Sequence, residues 1–340
     1  MKPLSDRAVE KLRDTSEEPN LQGTHYKLLE RVARGGMGVV YTAEDERLHR
    51  RVALKVLDAT GTDRELAQRL LHEARVLARL EHPGIVPVHD VGTLDDGRVF
   101  YTMKFVEGRR LDEHLAGVAS VPDRLRLFLR ICEAVGFAHA RGVLHRDLKP
   151  ANVMVGSFGE VLVMDWGLAK VLAGAGQEGS SDVVYLDGPA VGASLSQKPA
   201  EAGETVRTGH GTVLGTPGYM SPEQAGGDVG HLDGRSDVYS LGVLLRFVVS
   251  EAAGPGGQRI DRALAAICAK ATADKPEDRY PGVLELGMDV SRFLDGMAVS
   301  ARAETILDRT VRFYRRYRFF ILLMAAYLVM RIALILFFRK

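Results

Sequence analysis

The 340-residue sequence predicts an α+β chain with a β-rich N-terminal part, an α-rich C-terminal part and an apolar C-terminal helix. Three observations predict this. GVVYTAED (38–45) and RRVALKVLD (50–58) alternate apolar and polar residues, as half-buried strands do. After Gly108 the apolar residues recur at helical spacing, in RLDEHLAG and then in DRLRLFLRICEAVGFAHARG. Finally, FFILLMAAYLVMRIALILFF (319–338) surrounds a single charge, Arg331, with apolar residues over the length that crosses a hydrocarbon core.

Taken in order, residues 1–25 are charged, have no apolar core and read as a solvated tail rather than a signal peptide. Residues 26–58 read as strands around the glycine-rich turn GGMG. RELAQRLLHEARVLARLEH then has a helical period and stops before Pro83. IVPVHDVGTLDDGRVFYTMKFVEG reads as two strands joined at Asp96-Gly97, and the change from strand to helix falls near 104–108. HRDLKPANVM (145–154) is too polar for a buried strand, and Pro150 would break a helix, so it is a loop held in one shape. VLVMDWG (161–167) is a strand that ends in Asp165. Residues 171–205 are rich in Gly, Ala and Ser, have no period, and are too long for an ordinary ordered connection; they read as a mobile insertion. Helical patterns resume in RSDVYSLGVLLRFVVS and IDRALAAICAKATA.

Composition narrows the function. A formal net charge of +1 lacks the basic excess that nucleic-acid binding needs, so no nucleic-acid partner is expected. The two cysteines, Cys132 and Cys268, sit in apolar helical patterns without a partner at metal spacing and read as packing residues of a reducing compartment. In 319–338, thirteen Leu, Ile, Phe and Val residues each contribute about −0.3 to −0.6 kcal/mol to insertion, against about +2.5 to +3.5 for Arg331 at a helix centre. The sum favours a transmembrane helix over an interfacial one. Arg312, Arg315, Arg316 and Arg318 precede the segment, and only Arg339 and Lys340 follow it. This bias predicts a single-pass tail anchor in the cell (inner) membrane, with a basic juxtamembrane stretch at 298–318 and everything before it cytoplasmic.

Four elements carry chemistry. Glycines in GGMG let backbone N–H groups approach an anion, although a tight hairpin would use them equally well. VALK (52–55) puts a lysine in an apolar strand, where burial calls for a partner; Glu73 on the following helix is the best candidate. HRDLKPAN supplies Asp147, a carboxylate able to accept a hydroxyl proton. Lys149 can offset phosphoryl charge, and Asn152 offers an amide oxygen suited to Mg²⁺. Asp165, leaving a buried strand, is a second metal ligand in this reading and an ordinary turn former in the plainer one.

In this order, and with GTPGYMSPEQ following, these elements resemble a protein kinase over residues 26–297, most of all the bacterial (eukaryotic-like) serine/threonine kinases. The resemblance implies a bilobal protein-kinase-like fold, with an N-lobe at 26–107 and a C-lobe at 108–297. It also implies ATP and Mg²⁺ as cofactors and proteins as substrates. In it Gly35, Gly36 and Gly38 cover the phosphates, with Ala33 where the family has glycine. Val40 and Ala53 pack above the adenine and Met154 below it. Met103 guards the back of the pocket, and the Lys104 and Val106 backbones meet the adenine edge. Lys55 holds phosphates and pairs with Glu73; Asp147 is the catalytic base; Lys149 stabilises the γ-phosphoryl; Asn152 and Asp165 bind Mg²⁺. Arg146 looks like the pocket for an activating phosphate on Thr205, Thr208 or Thr212. Thr216 contacts the catalytic loop, Glu223 of the SPE variant pairs with Arg279, and Asp237 ties the loop to a central helix.

Two departures stand out. Trp166 replaces the usual Phe after the metal-binding Asp, and a large apolar ring keeps the packing role. After the central helix, the Pro-Phe motif and helix usual in the family are missing, and only EAAGPGGQR separates VVS from IDRALAAICAK. The leading expectation is a membrane-tethered, autophosphorylating serine/threonine kinase. A homodimer would serve trans-autophosphorylation, although the apolar segment has no small-xxx-small pattern. The alternative is a catalytically weak, ATP-binding pseudokinase scaffold at the membrane, motivated by Ala33 and the shortened C-lobe.

Overall fold

The computed structural model describes residues 18–35, 38–57, 64–167, 169–171, 216, 218–227, 232–250, 260–302 and 317–331. Gly36, Thr205, Thr208, Thr212 and nearly all of the 171–205 insertion lie outside the described residues.

The N-lobe is an antiparallel sheet of β1 (Tyr26–Gly35), β2 (Gly38–Asp45), β3 (Arg50–Leu57), β4 (Val88–Thr93) and β5 (Val99–Lys104), in the order β1-β2-β3-β5-β4. Helix α1 (Arg64–Arg79) lies between β3 and β4 in sequence and packs on β5. The period of two predicted for β3 sorts its side chains. Val52, Leu54 and Val56 join Tyr41, Ala43 and Phe100 in a core on one face. Ala53 and Leu57 face the other way and share a core with Leu70 and Leu77 of α1. Lys55, two residues from each of them, points the same way and so stands on the α1 side. Gly38 opens β2 where the backbone of β3 comes close: a Cβ there would lie 2.3 Å from the Val56 carbonyl oxygen. That contact excludes every larger residue.

The C-lobe begins with β6 (Gly108–Arg110), α2 (Leu111–Leu115) and α3 (Val121–Ala140). Ser120 caps α3 by accepting the Asp123 amide, and Pro122 sits in the first turn, where its missing N–H costs nothing. Then follow β7 (Val143–Leu144), a 3₁₀ turn at Pro150–Asn152, β8 (Val153–Gly156), β9 (Val161–Val163) and β10 (Lys170–Val171). Strands β6, β8 and β9 form one small sheet, and β7 and β10 another. The remaining helices are α4 (Pro222–Ala225), α5 (Gly234–Ser250), α6 (Arg262–Ala271) and α7 (Val283–Leu294), with a second 3₁₀ turn at Pro276–Asp278. Their apolar faces close one core that continues into the N-lobe beneath α1. Cys132 and Cys268 are unbonded and buried in it, and burial pushes the Cys268 thiol up to about 11. Both act as small apolar groups.

Residues 251–259, between α5 and α6, lie outside the described residues. The last turn of α5 is closed from α3. Buried Arg124 donates to the Val248 carbonyl at 3.1 Å, and also to the carbonyls of Leu115 and Val118. A side chain thus satisfies a helix end that would otherwise need another partner.

One expectation needs correction. Helix α8 (317–331) starts two residues before the apolar C-terminal segment and runs into it, and all its residues are exposed. Yet no helix among the described residues is long and apolar enough to cross a membrane. Its described part, 317–331, covers about 22 Å at ~1.5 Å per residue, against a ~30 Å hydrocarbon core. Residues 332–338 of the expected span lie outside the described residues.

Candidate active site

Lys55 and Glu73 meet behind the sheet. Lys55 Nζ donates to both Glu73 oxygens at 2.8 Å, and the Lys55 and Glu73 side chains are only 11% and 1% exposed. Burial alone would lower the lysine's pKa, but the Glu73 carboxylate, and then Asp165, outweigh it and hold the pKa above its usual value. Lys55 is therefore a fixed cation, and Asp165 Oδ1 lies 3.6 Å from it.

The loop at 145–152 is set by a second carboxylate. Asp237, fully buried near the start of α5, accepts the His145 and Arg146 amides at 2.8 Å each. It also pairs with His139 Nε2 at 2.7 Å. Burial would raise its pKa; the hydrogen bond and charge of His139, then His145 and the Arg146 amide, hold it below the usual carboxylate range. Pinned in this way, Arg146 adopts φ 71°, a left-handed conformation that costs a non-glycine residue about 1–3 kcal/mol. Gln224 of α4 donates to the Arg146 carbonyl at 3.0 Å, which fixes the other side of the same residue.

The strained turn presents Asp147. Its Oδ1 accepts the Thr216 amide and hydroxyl, both at 3.0 Å. Its Oδ2 accepts Lys149 Nζ at 2.7 Å and Asn152 Nδ2 at 3.1 Å. Lys149 also donates to Thr216 Oγ1 at 2.6 Å. One hydroxyl thus touches both the carboxylate and the lysine, so the site can receive a Ser or Thr hydroxyl in the same place. Asp165 follows β9 with φ 58°, and its carboxylate is half exposed. Behind it Trp166 is fully buried, its ring 4.6 Å from that of His145, and its Nε1 donates to the Val163 carbonyl. The larger ring therefore fills the interior, and its one polar atom is satisfied.

The residues fit a divalent cation. Asn152 Nδ2 is committed to Asp147, donating also to its carbonyl at 2.8 Å, which leaves the amide oxygen as a hard donor, and the amide of Met164, the residue before Asp165, donates to the Asn152 backbone carbonyl at 2.8 Å. Among the described residues there is no cluster of three or more His, Cys, Asp or Glu able to hold a metal alone. Such a donor set suits Mg²⁺, which takes few protein ligands and completes its shell with phosphates and water.

The expected adenine cradle lies along the sheet and β8. Ala53 pairs in register with Met103, and Val40 with Lys55, while Met154 is half-buried on β8. Val106 is buried, and the Lys104 amide is committed to the Pro87 carbonyl, so at an adenine edge the Lys104 carbonyl would serve. Ala33 and Gly35 are exposed near the end of β1, facing Val40 and Gly38 across the hairpin.

Farther out, Glu223 takes two bonds from Arg279, at 2.7 and 2.8 Å. Arg279 also donates to the carbonyls of Ala273, Arg235 and Asp274 and lies 5.0 Å from the Tyr239 ring. Burial would raise the Glu223 pKa, but the Arg279 hydrogen bond leads the contacts that lower it.

Sequence reasoning passed over Tyr101, His139 and Gln224. Tyr101 lies in a strand buried from Val99 to Met103, where a phenol needs a partner; that is the signal that could have marked it. His139 and Gln224 carry no comparable mark in the sequence, because their partners come from distant segments.

The protein kinase domain family matches residues 26–300. The chain is 33% identical over 308 residues to serine/threonine-protein kinase PknD of Chlamydia abortus, covering 80% of this chain and 31% of that protein. It is 34% identical over 315 residues to a probable serine/threonine-protein kinase of Streptomyces coelicolor, covering 84% and 42%. It therefore spans about a third of the length of the PknD relatives it matches. Among solved structures, the PknI kinase domain of Mycobacterium tuberculosis superposes with a TM-score of 0.54 at 25% identity, over 80% of this chain and 96% of that one. With that family match over most of its length, the chain belongs to the protein kinases, among the bacterial eukaryotic-like serine/threonine type.

Proposed function

We propose that this chain is a membrane-tethered kinase that transfers the γ-phosphoryl of ATP to Ser or Thr hydroxyls of proteins, itself included. The observation that carries this reading is the Thr216 hydroxyl held between Asp147 and Lys149, the arrangement an acceptor hydroxyl needs. An incoming hydroxyl takes that place. Its proton passes to an Asp147 oxygen as its own oxygen bonds the γ-phosphorus, and the bond from phosphorus to ADP breaks. Lys149 offsets charge on the moving phosphoryl, and Lys55, steadied by Glu73, holds the remaining phosphates. Asn152 and Asp165 would hold Mg²⁺, which neutralises phosphate charge when bound.

Two features support the tether. Helix α8 exposes apolar side chains on every side, Phe319, Phe320, Leu323, Met324 and Val329 among them. A helix apolar all round belongs in lipid or in a protein core. The heavier basic flank, at 312–318, precedes it and supports a kinase part on the cytoplasmic side. Thr205, Thr208 and Thr212 remain the acceptors proposed for activating phosphate, with Arg146 as its receiver.

The test is incubation with Mg²⁺-ATP beside an Asp147→Ala control, followed by phosphosite mapping. Phosphate on one of those threonines in the parent alone is the expected result. ATP binding without any phosphate transfer would favour a nucleotide-binding scaffold, a reading motivated by the short EAAGPGGQR stretch between the two helical sequences. Alkaline carbonate washing of membranes tests the tether: the chain should stay in the pellet.

A further inference from the structure

The Lys55–Glu73 pair has a third member. Tyr101 Oη donates to Glu73 Oε1 at 2.9 Å, and Lys55 Nζ lies 5.8 Å from the centre of the Tyr101 ring. The geometry follows from register. Lys55 on β3 and Tyr101 on β5 are opposite each other in the antiparallel ladder, so their side chains stand next to each other on the α1 face. Both reach one carboxylate, which α1 carries to them.

The two donors differ in what else they serve. Lys55 is also 3.6 Å from Asp165 and, on the kinase reading above, must hold phosphates as well. Tyr101 is 2% exposed, and Glu73 is its one hydrogen-bond partner among the described residues. Burial, and then the Glu73 charge, push its phenol well above the usual range, so it remains a donor at every working pH. Tyr101 shares a face with Lys55, but its burial keeps a nucleotide from competing for its bond to Glu73.

We infer that Tyr101 is a positioning residue for phosphoryl transfer, holding α1 against the sheet through Glu73 independently of Lys55. The position of α1 is then built into the fold rather than set by the ligand state of Lys55. This inference rests on the kinase reading for its consequence in turnover, though not for the bond itself.

The experiment compares the full chain with Lys55→Met, Tyr101→Phe and the double variant. It measures amide hydrogen exchange in 64–79, with the amides of β5 and the melting temperature as controls, and ADP release from Mg²⁺-ATP. Lys55→Met alone should leave α1 exchange within about twofold of the parent. Adding Tyr101→Phe should raise it about tenfold, as expected for loss of a hydrogen bond to a charged group, with the β5 amides unchanged. Tyr101→Phe alone should lower kcat about tenfold with KM for ATP within about twofold, because the adenine cradle does not depend on Glu73. Unchanged α1 exchange in the double variant relative to Lys55→Met would overturn the inference, as would an equal rise across the whole N-lobe. Absence of turnover in the parent would overturn the kinase reading alone, since the exchange comparison decides Tyr101 without it.

Discussion

Asp147 and Asp237 are two buried carboxylates serving one loop, and they are built in opposite ways. Asp237 is completely enclosed and binds two backbone amides and a histidine. Nothing that binds the protein can reach those bonds. Asp147 is 8% exposed, and three of its four bonds run to mobile ends of side chains, from Thr216, Lys149 and Asn152. Those partners can be exchanged for a substrate. A carboxylate committed to backbone fixes geometry, whereas one shared among side chains can change partners during a reaction.

The largest effect should come from Asp147→Asn. Turnover should fall by about 10²–10⁴, the usual contribution of a general base, while melting falls only modestly, because the new NH₂ can take the Oδ2 place, where the donors it meets are side chains of Lys149 and Asn152 that can turn away. Next is Asp237→Ala. It strands the buried amides of His145 and Arg146, at about 1–3 kcal/mol each, so thermal unfolding should show a loss of several kcal/mol. Activity should fall with it, because Arg146 no longer holds its left-handed turn. Glu223→Ala should cost less, about 2 kcal/mol by denaturant titration. It removes two bonds from buried Arg279 but leaves three carbonyl partners in place.

A pH effect follows from the same two carboxylates that brace the lobe. Asp237 and Glu223 both have folded pKa values below their ordinary 3.8 and 4.5. Such groups contribute stability that is fully present above the unfolded value and is lost as pH falls through the folded one. Melting temperature should therefore drop from about pH 4.5 downward, and the drop should be shallower in Asp237→Asn. The smallest effect should be Ala33→Gly. Ala33 is exposed on β1, so stability should shift by about 0.5–1 kcal/mol at most and KM for ATP by less than about tenfold.

Where a residue's type and spacing carry the chemistry, the sequence was legible. Lys55 stood out as a cation in an apolar strand, Asp147, Lys149 and Asn152 as a dense polar run, and the α- and β-rich halves through their periods. The contacts of Tyr101, His139 and Gln224 were not legible, because each depends on a partner brought close by register or helix packing. Tyr101 reaches Glu73 only because β3 and β5 align Lys55 with it. Gly38 shows both cases. Its place in a glycine-rich turn suggested an approach to phosphate, while the fold adds a second reason, the Val56 carbonyl against which no Cβ fits. The apolar C-terminal segment was legible as a helix, and the described part of it, 317–331, is one.

The contrast between the two aspartates is tested most directly by measuring phosphoryl transfer and thermal unfolding side by side for Asp147→Asn and Asp237→Asn. The account predicts near-parental melting without transfer for Asp147→Asn, and lowered melting with partial transfer for Asp237→Asn. Transfer at the parental rate by Asp147→Asn would contradict it.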